Sequence, residues 1–219
     1  MIIVAVDTST SFGSVALLDG AETRAEARFT ARGSHSCQVL PALDFVLRAG
    51  GLGPLEIEGF AVAAGPGSFT GLRVGISTVQ GLALATGRPC LGVSVFDATA
   101  AAADGVGPLV CLRDAFRAGV YSAVYDAEGH PVGPAAVGPI DAALARVPAG
   151  AAFVGDVVLA HREEIAARVP GARFPGLDPF LAAAVGRWAE PRLRAGEGHG
   201  PEALRPLYLR GADTRMAAA

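Results

Sequence analysis

Apolar and polar positions alternate over the first thirty residues as three short strands joined by tight turns. Residues 2–6 (IIVAV), 14–18 (SVALL) and 24–29 (RAEARF) carry the strands, while the polar run Thr8, Ser9, Thr10, Ser11 and the pair Asp19 and Gly20 carry the turns. The period then changes from strand to helix. Over 35–49, Val39, Leu40, Leu43, Val46 and Leu47 fall at helical spacing, Gly50 and Gly51 close the pattern, and Pro41 is tolerated near the first turn. A buried strand (FAVAA, 60–64), a loop of Gly65, Pro66, Gly67, Ser68 and Phe69, a helix over 70–86 and a strand restarted by Pro89 (CLGVSV, 90–95) follow.

The helix over 70–86 is apolar on nearly every side. Arg73 and Gln80 share one face with Ser77 between them, Leu72, Ile76, Val79 and Ala83 line another, and Gly71, Gly75 and Thr78 form a strip of small residues. Such a helix is covered by more than one neighbour. Two readings stay open on pattern alone: a central core helix, or one half of an interface.

The second half opens with another hairpin, PLVCLRD (108–114) and VYSAVYD (120–126). Asp7 and Asp19 end the first pair of strands and Asp114 and Asp126 the second, so a slide of 107 residues superposes the two hairpins and lays Ala16 on Ala123. Helical patterns over 139–147, 157–169 and 180–195, the last containing Pro191, alternate with a strand at 151–155. A meander followed by helices, occurring twice, predicts a duplicated α/β unit with two lobes, 1–104 and 105–219, and a crevice between them.

Composition narrows the chemistry. The chain has 219 residues, and its 18 basic side chains are all Arg. Without Lys there is no Schiff-base lysine, no lysine general base and no GxxxxGK[ST] phosphate loop. A formal net charge of −3 argues against a dedicated nucleic-acid binder, although residues 187–219 carry 6 Arg against 4 acids. The longest uncharged stretches, 59–72 and 74–87, are short of a bilayer span, and MIIVAV followed by Asp7 lacks the basic start of a secretory signal. Cys37, Cys90 and Cys111 read as reduced, buried thiols of a cytoplasmic protein, and the scattered His35, His130, His161 and His199 form no metal-binding spacing.

Two segments are candidates for phosphate chemistry. Asp7 at a strand tip, followed by Thr8, Ser9 and Thr10, matches a hairpin whose hydroxyls and amides face a phosphate while the carboxylate orders hydrated Mg²⁺; an ordinary polar turn reads the same. Arg113 and Asp114 occupy the equivalent place in the second hairpin, with Arg117 in its turn. The loop AAGPGSFTGLRVG is neither GxGxxG nor a lysine loop, since Thr70 stands where the last glycine would be. No nucleophile with a paired base is visible, and Glu163 and Glu164 are adjacent residues that diverge on a helix.

The strings MIIVAVDTSTSFGSVALLDG, HSCQVLPALDFVL, AAGPGSFTGLRVGISTVQGLALATGRPCLGVS, LRDAFRAGVYSAVY, FVGD and PLYLR, in this order, resemble the TsaB (YeaZ) family nearly end to end. The resemblance implies an actin-like/Hsp70-like/sugar-kinase fold built from a duplicated ribonuclease-H-like unit. It also implies a non-catalytic dimerisation and scaffolding partner of TsaD. The complex of the two, as the resemblance implies, transfers a threonylcarbamoyl group from threonylcarbamoyl-adenylate to N6 of adenosine 37 in tRNAs reading ANN codons, with the ATPase TsaE as third member and tRNA reached through the complex. TsaD carries an H-x3-H metal pair where this chain has Val95 and Thr99, so the older glycoprotease label fails on the same positions. In the family the two helices after the meander pack against their counterparts in TsaD. Val39, Leu43, Gly71, Leu72, Gly75, Ile76 and Val79 are therefore candidate partner-binding residues, and a homodimer is expected when TsaD is absent. No catalytic residue, metal or cofactor of its own is expected, ATP and Mg²⁺ being placed at the crevice or the partner interface. The competing reading is an ATP-dependent phosphotransferase of the same superfold using Asp7 and the turn over 8–11.

Overall fold

The computed structural model describes residues 1–30, 35–103, 106–116 and 119–209. In chain order the elements are β1 (Ile2–Asp7), β2 (Phe12–Asp19), β3 (Glu22–Thr30), α1 (Ser36–Ala49), β4 (Gly59–Gly65), α2 (Phe69–Thr86), β5 (Cys90–Ser94), α3 (Val95–Ala102), β6 (Leu109–Asp114), β7 (Val120–Tyr125), β8 (Ala136–Gly138), α4 (Ile140–Leu144), β9 (Ala152–Val154), α5 (Arg162–Arg168) and α6 (Ala182–Arg194).

The first sheet has the order β3-β2-β1-β4-β5, antiparallel across the meander and parallel from β1 to β4 to β5. Side chains alternate between its two faces. Val4, Val6, Val15, Leu17 and Val62 point to one, where α1 and α2 cover them with Val39, Leu43, Val46, Ile76 and Val79. Ile3, Ala5, Ala16, Leu18, Ala61 and Ala63 point to the other, where Val95 and Ala98 of α3 and Ala182, Val185, Ala189 and Leu193 of α6 close the layer. A sheet covered on both faces explains why β4 is buried at all seven positions. Each fully buried Val, Leu or Ile contributes about 1.5–3 kcal/mol to this arrangement.

The chain does not divide once at 104/105. One compact unit is Met1–Ala102 with Asp178–Pro206, and the other is Ala103–Leu177 with the residues from Leu207 on. The physical reason is α6, whose Ala-rich face fits the small side chains of the first sheet. The Ala182 N–H donates to Ser14 Oγ at 3.0 Å, fixing the start of α6 on β2.

The second unit has its own sheet, β8-β7-β6-β9, with antiparallel pairing across the hairpin and a parallel β6/β9 pair. This is the order of the first sheet without its fifth strand, so the duplication holds at the level of topology. The slide of 107 residues does not hold in register. Ala5 pairs with Ala16, but 107 residues on, Leu112 pairs with Ser122 and not Ala123. The second turn is one residue shorter.

Several elements differ from the pattern-based expectation. The run CLGVSV ends as a strand at Ser94, whose Oγ accepts from the Phe96 N–H at 3.2 Å and starts α3, a helix the apolar run concealed. Helices expected over 139–147 and 157–169 shrink to α4 and α5, and β8 is an unforeseen edge strand. Pro41 lies inside α1, past its first turn, and Pro191 lies inside α6 without interrupting it. Buried apolar residues on the sheet side of both helices hold them despite the missing N–H donors.

Candidate functional site

In the first unit the candidate site begins where β1 ends. Asp7 is buried, and its Oδ1 accepts from the Ser9 N–H at 2.8 Å, closing the turn. Thr8 Oγ1 does not point outward: it donates to the Gly71 carbonyl at 2.8 Å. The Ser68 N–H donates to the Ser9 carbonyl at 2.7 Å, and Ser68 Oγ accepts from the Gly71 N–H at 3.2 Å as the N-cap of α2. Thr10 Oγ1 accepts from the Phe12 N–H at 3.1 Å. Ser9 Oγ is buried without a hydrogen-bond partner among the described residues.

These contacts give the glycines of the GPGSFTGLRVG segment a reason. A Cβ on Gly67 would strike the Ser9 carbonyl, one on Gly71 the Thr8 carbonyl, and one on Gly75 the Thr8 hydroxyl. The loop and the first two turns of α2 are seated directly on the hairpin turn. Of the donors expected to face an anion, the Thr8 hydroxyl is spent on holding that seat, as are the amides of Ser68 and Gly71.

The second hairpin, in its own unit, repeats the turn. Asp114 Oδ1 accepts from the Phe116 N–H at 2.7 Å, as Asp7 does two residues on. Arg113 is buried, but its partner is Asp156 at 3.9 Å and not Asp114; Asp156 Oδ1 also accepts from the Asp114 N–H at 3.0 Å. Asp156 was not foreseen as part of this group, although it is the aspartate of the FVGD string. Arg117 lies outside the described residues.

The partner-binding candidates need correction. Val39, Leu43, Gly71, Leu72, Gly75, Ile76 and Val79 are all buried within their own unit, Leu72 and Val79 at 1% and 0% exposure. They form the side of α1 and α2 that meets the sheet or the hairpin turn. The same two helices expose a different set: Leu40 at 57%, Phe45 at 58%, Phe69 at 53% and Leu84 at 76%. Arg73 lies over Phe69, its guanidinium 3.9 Å from the ring centroid. Gln80 is also turned to its own chain, donating to the carbonyls of Pro201 at 3.0 Å and Leu204 at 3.2 Å. The pattern hid the outer set because a helix apolar all round does not say which stripe its own sheet will take. The available signal was what remained once the stripe 72/76/79/83 was assigned inward.

Val95 and Thr99 are buried on α3, and the Thr99 hydroxyl donates to the Val95 carbonyl at 2.6 Å. Among the described residues no group of three or more His, Cys, Asp or Glu is placed to hold a metal ion. Of the thiols, Cys90 and Cys111 are buried as expected, and burial followed by nearby Glu202 pushes Cys90 above the ordinary thiol value; Cys37, by contrast, is exposed on α1. No helix among the described residues is long and apolar enough to cross a membrane.

Residues 29–171 match the family model described as TsaD, tRNA N6-adenosine threonylcarbamoyltransferase. The tRNA threonylcarbamoyladenosine biosynthesis protein TsaB of Escherichia coli is 37% identical over 128 residues, 57% of this chain and 55% of that protein. The chain spans about half the length of the curated relatives it matches, 42% to 55%. YeaZ from Pseudomonas aeruginosa superposes with a TM-score of 0.78 at 30% identity, over 95% of this chain and 99% of that one. The activator of 2-hydroxyisocaproyl-CoA dehydratase from Clostridium difficile, solved with bound ADPNP, superposes at a TM-score of 0.56 with 9% identity and is alike in fold alone. The fold is thus actin-like/Hsp70-like/sugar-kinase in type, and the chain, which matches the TsaD family model over most of its length, belongs to the TsaB (YeaZ) family.

Proposed function

We propose that this chain is the non-catalytic scaffolding subunit of the complex that adds a threonylcarbamoyl group to N6 of adenosine 37 in tRNAs reading ANN codons. It binds the catalytic subunit TsaD through the outward face of α1 and α2, with TsaE as third member and tRNA engaged through the assembly. The carrying observation is the exposure of four large apolar side chains on these two helices, Leu40 and Phe45 on α1 and Phe69 and Leu84 on α2, beside the stripes that seat both helices on the sheet. Large apolar side chains left to solvent on neighbouring helices support a protein contact there.

The phosphotransferase reading has less support. The Thr8 hydroxyl is committed to the Gly71 carbonyl of α2 and the Gly71 amide to its cap Ser68, and Val95 and Thr99 offer no ligands comparable to the H-x3-H pair of the sister family. Any nucleotide and Mg²⁺ requirement then belongs to the assembled complex. Retention of TsaD by the wild-type chain in a pull-down, lost with Leu84→Arg and with Phe45→Arg, is the expected result. Equal retention by wild type and both variants would refute docking through this face, and tRNA modification by the chain alone would refute a non-catalytic role. Calorimetry with Mg-ATP separates the alternative: heat of binding abolished by Asp7→Ala would favour the phosphotransferase.

A further inference from the structure

The GPGSFTGLRVG segment is explained on its inner side by the fit of Gly67, Gly71 and Gly75 to the hairpin turn. Phe69, Thr70 and Arg73 are its exposed side chains, and the two large ones, Phe69 and Arg73, have no such explanation. The guanidinium of Arg73 stacks 3.9 Å above the Phe69 ring, which holds a planar hydrogen-bonding fork in one place on an exposed surface. Among the described residues nothing in its own unit calls for a cation there. Arg73 is the sole charged residue of α2, and α1 has one carboxylate, Asp44, which Arg48 takes at 3.0 Å. Among the described residues Arg73 makes no ion pair. The helix dipole does not favour it either, since a cation is stabilised at the C-terminal end and Arg73 lies near the N-terminal one.

Resting on the reading of the outer face as the TsaD-docking surface, we infer that Arg73, steadied on Phe69, is the specificity-determining contact of that face. The partner surface it fits presents a carboxylate surrounded by apolar side chains. An aromatic ring and an Arg held ready at an apolar patch are the residue types that dominate binding energy when desolvated. The ordering of the Arg side chain is already met in the free chain, which lowers the cost of association.

The test measures affinity for TsaD by calorimetry at low and high salt for the wild type, Arg73→Glu, Arg73→Gln and Leu84→Arg. Each variant is read only if it keeps the wild-type unfolding midpoint; Arg73→Gln serves if Arg73→Glu does not fold. Arg73→Glu should weaken binding at least about tenfold and Arg73→Gln less, and both should reduce the salt dependence. Binding lost with Leu84→Arg but unchanged with both Arg73 variants would overturn the role of Arg73 and leave the docking face standing. Binding unchanged with all three would overturn the docking reading itself.

Discussion

The two sides of α2 come from one short segment and answer to different demands. On the inner side Gly71 and Gly75 let the helix approach the Thr8 backbone and hydroxyl until no Cβ fits between them, and Leu72, Ile76 and Val79 are buried. On the outer side Phe69, Arg73, Ser77 and Leu84 meet solvent, and the large ones among them contribute nothing to the core of their own unit. A stripe of small residues at helical spacing is commonly read as a place where another protein's helix comes close. Here the close neighbour is the chain's own hairpin, and the side left to solvent is the one with bulky apolar residues and an Arg.

Substitutions that exchange the character of the two sides should separate them. Gly71→Val places a branched side chain against the Thr8 carbonyl, a backbone atom that cannot swing away, so the loss should exceed about 3 kcal/mol, the usual ceiling of overpacking. Urea denaturation checks it, and a wild-type midpoint would show that the inner seat is loose. Ile76→Ala should cost about 3 kcal/mol through the cavity it leaves, with affinity for TsaD changed only as far as folding is.

On the opposite face of the sheet, Glu190 of α6 offers a test by pH. Burial raises its pKa, but hydrogen bonds from the Met1 α-amino group at 2.8 Å and from Arg194 Nε at 3.1 Å outweigh burial and hold it below the ordinary Glu value. Its contribution is therefore complete above the unfolded value of about 4.3 and fades as pH falls through the lowered folded value. Glu190→Gln should lose about 2 kcal/mol at neutral pH, as for hydrogen bonds to a charged group, and should flatten the acid limb of a stability profile. An unchanged acid limb would show that the pair is inert. The smallest effect on stability belongs to the outer side: Leu84→Arg should shift unfolding by no more than about 0.5 kcal/mol while removing the partner. A large unfolding shift would mean that Leu84 belongs to the core.

Much of the frame was legible because period reports burial directly. The meander, β4 and the inward stripes of α1 and α2 follow from alternation at two and near 3.6 residues, and the repeated hairpin pointed to the duplicated unit. What escaped depended on contacts distant in sequence. Nothing local to 180–195 says that its Ala-rich face will close the sheet begun at Ile2, so the boundary at 104/105 missed the return of α6. Thr8 is a polar turn residue in sequence, and its bond to Gly71 lies 63 residues away. Arg113 has Asp114 beside it in sequence, yet the parallel β6/β9 pair brings Asp156, 43 residues on, to it. The resemblance to a known family named the two helices on which the proposal rests, but it did not supply their faces.

The native thiol on the outer face gives the most direct test. Cys37 lies in the first turn of α1 on the same side as Leu40, and it is exposed, while Cys90 and Cys111 are buried. Labelling with a thiol reagent, followed by mass spectrometry with and without TsaD, reads coverage of that side without any substitution. Docking through the outer face should slow Cys37 labelling at least about tenfold at saturating TsaD, as the exposed fraction of time falls with occupancy. Equal labelling rates in a verified complex would contradict the assignment of the outer face as the binding surface.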